Sequence, residues 1–258
     1  FVSTNTILYD KICEEIRTLD RRNIIVEPAR KDTAAAIGYG SLIINSMFPN
    51  ATVAVLASDH QIIDNQAFVE SILSAEKIAS SGYIVTLGII PTRPETGYGY
   101  IQVSSNVKNL VPLEVVGFVE KPNIEKATEY CKSGNYLWNS GMFVFSHKTL
   151  MEQFQIHSPN HFNVLIELSN LVYECYGLEL SIRVKELFDK FEKISFDYAI
   201  MEKTNQAQVL PVDFGWNDVG SYSTLYEISK KNNNDSVIIK SRVFELDSQD
   251  NLVIGYTQ

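Results

Sequence analysis

The amino-acid sequence predicts an α/β fold with a mixed, mostly parallel β-sheet flanked by helices. Short apolar runs alternate along the chain with longer segments of helical periodicity, the pattern of strand–helix–strand units. The runs at residues 52–57 (TVAVLA) and 83–90 (YIVTLGII) lack polar alternation, which is typical of strands buried on both faces. With 258 residues, 45% of them hydrophobic, the chain can bury a large core.

These runs divide the first half of the chain into alternating elements. We expect strands at residues 23–26, 52–57 and 83–90, and helices at 33–44 and 65–80. Thr33 is expected to be the N-cap of the first of these helices, since a threonine hydroxyl can accept a bond from a first-turn amide. Ligands bind beyond the carboxyl ends of strands in such sheets, so the polar residues that follow each strand are candidate site residues.

The second half continues the alternation and ends in a different kind of segment. We expect strands at 113–119, 142–146 and 208–212, a helix at 125–132, and mostly helix at 149–193 with breaks near Pro159 and Gly177. The polar stretch 230–235 predicts a linker, and the residues after it predict strands and turns. The expected organisation is one domain at 1–230, followed at 231–258 by the linker and the start of a short β-rich C-terminal unit.

Charge and residue spacing exclude several classes of protein. The formal net charge is −9, whereas general nucleic-acid binders are usually basic, so no nucleic-acid partner is expected. Cys13, Cys131 and Cys175 show no metal-binding spacing and are expected to be reduced thiols of a cytoplasmic protein. No apolar run approaches the ~18–20 residues of a membrane span, and the N-terminus lacks a signal-peptide pattern. No membrane partner is expected.

Two aspartates near predicted strand ends are candidate metal ligands. Asp59 follows the run at 52–57, within Ser58-Asp59-His60, and Asp218 lies in a glycine-flanked turn after the strand at 208–212. Carboxylate oxygens are ligands of Mg²⁺, so the two residues could complete one site. An aspartate in such a position also caps helices, and for Asp59 alone the two interpretations are equally good.

The segment PTRPETGYGY at residues 91–100 is the second candidate site. Two prolines stiffen the segment, and Gly97 and Gly99 allow the backbone to approach a ligand closely. A simple connection rarely needs ten residues with this much constraint. A binding role is therefore favoured over a structured turn.

Further polar residues near the later strands could bind a phosphorylated sugar. Lys121 can meet a phosphate as a point charge, and Glu120 can accept hydrogen bonds from hydroxyl groups, although an exposed ion pair explains these residues better when they are taken alone. Asn139 offers both a donor and an acceptor. The segment 195–204 contains Asp197 and Lys203, and a capped structural helix is as good an interpretation of it as a binding role.

The order of these motifs is more specific than any one of them. The succession EPARKDTAAAI, ASDH, LGIIPTRPETGYGYI, VVGFVEKP, YLWNSGMFVF, SFDYAIMEKT and FGWNDVGS resembles the bacterial mannose-1-phosphate guanylyltransferases over about residues 1–228. Broader sugar-nucleotidyltransferase relatives usually lack the longer strings. The resemblance implies a Rossmann-like nucleotide-diphospho-sugar transferase fold. It also implies a reaction of GTP with mannose 1-phosphate that gives GDP-mannose and pyrophosphate, with Mg²⁺.

The resemblance also implies roles for particular residues. Asp59 and Asp218 would bind the metal and Lys121 the sugar's phosphate, and these three would be the catalytic residues. Substrate-binding residues would lie around the base and ribose and along the sugar: Glu27, Asp32, Thr33 and Ala34, then Gly99, Glu120, Asn139, Asp197 and Lys203. The sugar phosphate is already an anionic nucleophile at neutral pH, so catalysis would depend on alignment and charge stabilisation rather than a strong base.

Two features depart from the family's pattern. The family's first strand and its glycine-rich phosphate loop have no counterpart here, so apolar surface of the sheet is expected to lie open, and the sequence is expected to be a fragment. Lys31 and Asp32 stand where many members have arginine and asparagine. Lysine keeps the charge but loses the bidentate geometry, and aspartate lacks the amide donor.

Three alternatives to the leading hypothesis stay open. The chain could be a related enzyme for another base or sugar, a non-catalytic sugar-nucleotide-binding paralogue, or part of a bifunctional protein that continues into an isomerase domain. The expected partners are GTP and mannose 1-phosphate. A homodimer is compatible with the aromatic residues at 222–226, although a core position suits them better.

Overall fold

The computed structural model describes residues 1–172 and 180–255, so Cys175, Gly177 and the last three residues lie outside the described part of the chain. The helices of this part are α1 (Tyr9–Glu15), α2 (Asp32–Met47), α3 (Asn65–Ala79), α4 (Ile124–Ser133), α5 (His147–His157), α6 (Pro159–Ser169), α7 (Ile182–Asp189) and α8 (Tyr222–Ile228). The strands are β1 (Val2–Asn5), β2 (Ile24–Glu27), β3 (Thr52–Val55), β4 (Gln61–Ile62), β5 (Ile84–Ile89), β6 (Tyr100–Val103), β7 (Leu113–Val119), β8 (Tyr136–Ser146), β9 (Ala207–Val212), β10 (Trp216–Asn217), β11 (Val237–Ile239) and β12 (Leu252–Ile254).

The described residues form two compact units. The first contains residues 1–57 and 65–214, apart from 173–179, and the second contains 58–64 and 215–255. The predicted division at residue 230 differs from these two units and stays a prediction of domain organisation. In the second unit, β4 pairs antiparallel with β10, and β11 pairs parallel with β12.

A six-stranded sheet organises the first unit, with the strand order β3-β8-β5-β9-β7-β6 and a further pairing of β8 with β6. The α/β fold class and the mixed sheet are confirmed. The expectation of mostly parallel strands is wrong, because β5 and β9 are parallel while the other pairings of this sheet are antiparallel. β8 is long enough to run antiparallel to β3, β5 and β6, and β7 runs antiparallel to β6 and β9.

Buried residues of the core include those of β5 and the residue that precedes the turn before β9. Every residue of β5 is buried, as its unbroken apolar run predicts. Phe196 is fully buried and its ring lies 4.9 Å from that of Phe143 and 6.2 Å from that of Phe154. A π-helical turn, Asp197–Met201, begins directly after Phe196. Ser195 closes the start of this turn by accepting a hydrogen bond from the Tyr198 amide at 3.3 Å.

The first unit has a second, smaller sheet in which β1 and β2 run parallel, from Val2 opposite Ile24 to Asn5 opposite Glu27. A cleft of about 580 Å³ lies between β1 and β3, with α2 forming part of its wall. The consecutive residues 52–57 all line it, which is the sign of an open strand edge rather than of one sheet face. This cleft is the open apolar surface that the sequence predicts.

Three local predictions are wrong. Thr33 lies inside α2, whose N-cap position is Lys31, and its hydroxyl accepts a bond from the Phe196 amide instead. The run at 52–57 is not buried on both faces, because β3 borders the cleft and Leu56 is 46% exposed. The residues at 222–226 do not belong to a core, since no residue of α8 is buried.

Two further observations concern the chain as a whole. Cys13 and Cys131 are free thiols, as predicted. None of the helices within residues 1–172 and 180–255 combines the length and the hydrophobicity that crossing a membrane requires.

Candidate active site

Four of the predicted sugar-binding residues converge in the first unit. Asn139 lies on β8 opposite Gly88 of β5, and its amide donates to the Gly99 carbonyl at 2.8 Å. Its side-chain nitrogen donates to Asp197 Oδ1 at 2.8 Å. A Cβ placed on Gly99 would lie 3.2 Å from Glu120 Oε2, so the absence of a side chain at this position keeps a polar surface open.

Carboxylate charge is concentrated in this cluster. Burial raises the pKa of Asp197, and the charges of Glu120 and Asp32 raise it further, while the hydrogen bond from Asn139 lowers it. The pKa of Glu202 is raised by burial and by the charges of Asp197 and Glu120. The carboxylates of this cluster thus repel one another. Hydrogen bonds donated by the hydroxyl groups of a ligand would offset this repulsion.

The charge of Asp197 should lower the stability of the folded protein at neutral pH. Folding raises the pKa of this carboxyl, so ionising it costs more free energy in the folded state than in the unfolded state. The free energy of unfolding therefore falls as pH rises from the pKa of the unfolded state through that of the folded state. We therefore expect Asp197→Asn to raise the melting temperature by a few degrees near pH 7, and to have a smaller effect near pH 3. The amide oxygen of the introduced asparagine would still accept the bond from Asn139.

Thermal unfolding between about pH 3 and pH 7 measures this effect. Asp247→Asn is the matched control, because Asp247 is exposed. A melting-temperature difference between Asp197→Asn and the natural protein that stays constant across this range would contradict the electrostatic assignment.

Glu202 is a residue that the sequence analysis did not select. It precedes Lys203, whose charge lowers the pKa of Glu202 against the larger effect of burial, which raises it. Burial is the main cause that lowers the pKa of His157 and of His161, and the charge of Lys203 lowers both further. The signal that could have identified Glu202 is its place beside Lys203 after the turn that begins at Asp197.

Lys121 lies directly after β7, beside the cluster. Its ammonium is 3.6 Å from Glu120 Oε1, and the two side chains are 64% and 57% exposed. Such an exposed ion pair contributes little to stability. The Lys121 backbone has a φ of 35°, in the left-handed region that non-glycine residues rarely adopt. This backbone conformation lies in the short connection between β7 and the N-cap of α4 at Asn123.

The predicted base-binding residues lie around β2 and the start of α2. Ser3 donates to Glu27 Oε1 at 2.7 Å, and burial raises the pKa of Glu27 while the bond from Ser3 lowers it. Thr33 and Ala34 are held against the segment before Asp197, since the Ala34 amide donates to the Ile194 carbonyl at 3.2 Å. Ser3 is a partner of this group that the sequence analysis did not select.

The cleft connects the two groups of predicted residues. Ser3 and Thr33 line it, and so does Asp197. Most of the remaining lining comes from apolar or small residues of α2, β3 and β8. The cleft is thus an open strand edge with an apolar lining, and its polar groups at Ser3, Thr33 and Asp197 lie beside the predicted residues.

The two predicted metal ligands lie together in the second unit. Trp216 and Asn217 of β10 pair with Ile62 and Gln61 of β4, so Asp218 follows the end of this antiparallel ladder on the side from which residues 59 and 60 enter it. Burial lowers the pKa of His60, and the charges of Asp59 and Asp218 raise it. The indole nitrogen of Trp216 donates to His60 Nδ1 at 3.1 Å, so the ring is held from the opposite element.

The turn after β10 orients the Asp218 carboxylate. Its Oδ1 accepts a bond from the Gly220 amide at 3.1 Å, and a Cβ on Gly220 would lie 2.9 Å from its Oδ2. Residues 1–172 and 180–255 contain no group of three or more His, Cys, Asp or Glu side chains that could hold a metal. Two carboxylates fit Mg²⁺ nevertheless, because this ion commonly takes one or two protein carboxylates and fills its remaining positions with water and phosphate.

An α/β fold with polar and carboxylate side chains grouped after its strands is typical of ligand-binding enzymes. The sequence matches the Nucleotidyl transferase family over residues 3–235, and the chain belongs to this family.

Relatives with similar sequences agree with this assignment. The chain is 41% identical over 227 residues to the mannose-1-phosphate guanylyltransferase of Escherichia coli K12, a match that covers 84% of this chain and 47% of the relative. It is 42% identical over 235 residues to the enzyme of the same name from Salmonella montevideo, with coverages of 88% and 48%. The chain thus spans about half the length of these curated relatives. The resemblance predicted from the motifs is confirmed.

Solved structures confirm the fold. A Thermus thermophilus protein described as a mannose-1-phosphate geranyltransferase matches with a TM-score of 0.80 and 29% identity, over 98% of this chain and 72% of that one. A Helicobacter pylori protein described as a mannose-6-phosphate isomerase matches with a TM-score of 0.66 and 28% identity, over 83% and 82% of the two chains.

Proposed function

We propose that this protein transfers a nucleotidyl group from GTP to mannose 1-phosphate, giving GDP-mannose and pyrophosphate. The observation that supports this most is the cluster of Gly99, Glu120, Asn139 and Asp197 beside Lys121. These residues place hydrogen-bond acceptors next to one cation, which suits a molecule with hydroxyl groups at one end and a phosphate at the other. The names of the relatives support the same choice of substrate.

The reaction needs alignment more than proton transfer. An oxygen of the sugar phosphate forms a bond to the α-phosphorus of GTP, and the bond from that phosphorus to the bridging oxygen breaks to release pyrophosphate. Lys121 would hold the sugar phosphate, while Glu120 and Asp197 would accept bonds from sugar hydroxyls. These contacts would supply the orientation that makes the attack effectively intramolecular.

Asp59 and Asp218 would hold Mg²⁺ through their carboxylates. When bound, the ion supplies stabilisation of the negative charge that develops on the phosphate oxygens. The Gly220 amide would keep the Asp218 carboxylate in its present orientation. His60, fixed by Trp216, would support the geometry of the same turn.

Glu27 favours guanine over the other bases. The guanine edge carries two adjacent donors, N1–H and the 2-amino group, and a carboxylate has two oxygens to accept them. Ser3 already donates to Oε1 of Glu27 and orients it. Adenine and the pyrimidines lack this pair of donors, so their binding would leave the half-buried carboxylate with the bond from Ser3 but without the two donors of guanine.

The decisive experiment measures pyrophosphate release by the full-length protein with GTP, mannose 1-phosphate and Mg²⁺. Reactions without the sugar, and with ATP, UTP or dTTP in place of GTP, are the controls. We expect release that depends on the sugar and prefers GTP. Sugar-dependent release with another nucleotide would move the proposal to a different base, and no release by a folded protein would favour a binding paralogue.

Gly220→Ala tests the shape of the proposed metal site. The new Cβ would lie 2.9 Å from Asp218 Oδ2, so we expect the carboxylate to turn away while the fold is retained. The Mg²⁺ concentration for half-maximal rate should rise by about tenfold, the value of a lost interaction of about 1.4 kcal/mol. Gly117→Ala is the matched control, because a Cβ there meets nothing within 4 Å. An unchanged Mg²⁺ dependence in Gly220→Ala would count against this placement of the ion.

A further inference from the structure

The segment at residues 91–99, here called the sugar loop, is closed by one of its own side chains. Glu95 Oε1 accepts hydrogen bonds from the backbone amides of Thr96 at 3.0 Å and Gly97 at 3.1 Å. Two successive amides that converge on one oxygen form a small nest for an anion, which the Glu95 carboxylate fills. The other oxygen, Oε2, lies 3.5 Å from Nε of Arg93.

The sugar loop is also fixed from outside at the same point. The Tyr100 hydroxyl donates to the Glu95 carbonyl at 2.9 Å and accepts from the Glu95 amide at 3.0 Å, and Tyr100 is fully buried. The Arg93 guanidinium lies over the Trp138 ring, 5.8 Å from its centroid. Glu95 is therefore held through both its backbone and its side chain.

The far end of the sugar loop reaches the proposed sugar site. The Gly99 carbonyl accepts from the Asn139 amide, and Gly99 lies against the Glu120 carboxylate. Residues 96–98 connect this point to Glu95. The Glu95 carboxylate fixes the backbone conformation at Thr96 and Gly97. The position of the Gly99 backbone, two residues further on, depends on that conformation.

We propose that Glu95 is a positioning residue for the sugar substrate: its carboxylate binds the Thr96 and Gly97 amides and thereby sets where the Gly99 backbone meets the sugar. This inference rests on the proposed function, because it concerns how the same site holds mannose 1-phosphate. Glu95 itself does not contact the reacting atoms. Its effect should be on the sugar and not on the nucleotide.

The kinetic test compares Glu95→Ala with Glu95→Gln in the full-length protein. Because small misplacements of binding groups are costly, we expect Glu95→Ala to raise KM for mannose 1-phosphate by about 10- to 100-fold. KM for GTP should stay within about twofold of its natural value, since the proposed role of the sugar loop concerns mannose 1-phosphate alone. Glu95→Gln should recover most of the loss, because its amide oxygen can accept the same two bonds.

Glu76→Ala is the matched control, since Glu76 is an exposed residue of α3. A purely structural role would lower the apparent kcat by reducing the active fraction, or would change KM for both substrates alike. An active natural enzyme whose Glu95→Ala variant shows an unchanged KM for mannose 1-phosphate, or equal rises for both substrates, would overturn the inference.

Hydrogen exchange distinguishes failure of this inference from failure of the proposed function. The peptide that contains Thr96 and Gly97 should exchange faster in Glu95→Ala and at the natural rate in Glu95→Gln, whether or not the protein turns over these substrates. Equal exchange in all three proteins would overturn the role of the carboxylate. Absence of pyrophosphate release by the natural protein would instead count against the proposed reaction.

Discussion

Asp218→Asn is expected to lower the rate of pyrophosphate release by about 10²- to 10³-fold, the effect of losing about 3–4 kcal/mol of charge stabilisation in the transition state. The asparagine oxygen can still accept the bond from the Gly220 amide, so the turn should keep its conformation. The negative charge, however, is gone, and only a neutral oxygen remains for Mg²⁺. Asp59→Asn should have an effect of the same order.

Turnover measured across a range of Mg²⁺ concentrations, together with thermal unfolding, separates loss of the ion from loss of the fold. Asp247→Asn is an appropriate control, because Asp247 is an exposed residue of the same compact unit and the substitution makes the same chemical change. Turnover close to the natural rate in Asp218→Asn, at every Mg²⁺ concentration, would remove Asp218 from the metal site.

Lys121→Met is the second substitution for which we expect a large effect. It removes the ammonium group but keeps a long unbranched side chain at a backbone position with a φ of 35°. A charge-assisted contact with a phosphate contributes about 1.5–3 kcal/mol, so kcat/KM for mannose 1-phosphate should fall by about 10- to 100-fold. KM for GTP should change little.

Steady-state kinetics with each substrate varied in turn measures this difference. Lys126→Met is the matched control, because Lys126 is exposed on the neighbouring helix α4. An effect confined to GTP would assign Lys121 to the nucleotide instead of the sugar phosphate. Partial recovery in Lys121→Arg would show that positive charge is the property that matters at this position.

Much of the fold could be predicted because the relevant signals are local. The apolar run of β5 and the helical periodicity of α3 reflect contacts that each segment must make whatever its neighbours are. Strand direction is not a local property, which is why the mostly parallel sheet was a wrong expectation. The direction of β8 depends on its pairing with β3, β5 and β6, and no short stretch of sequence specifies that pairing.

The site shows the same division between local and long-range information. The motifs that contain Glu120, Asn139 and Asp197 could be selected from residue type and from their order along the chain. Ser3 and Glu95 could not, because their importance comes from contacts that the motif pattern does not specify, whereas Glu202 could have been identified from its place beside Lys203. Ser3 matters only because β1 pairs with β2 and brings its hydroxyl to Glu27.

The sequence by itself determined the α/β class, the positions of most helices and strands, and the residue types available for chemistry. These follow from periodicity, backbone preference and side-chain chemistry, which are properties of short segments. Only the tertiary structure decided that Asn139 bonds to Asp197, that Thr33 holds the Phe196 amide and that the apolar run of β3 borders an open cleft. Such contacts join residues far apart in the chain, and they exist only once packing has fixed the elements that contain them.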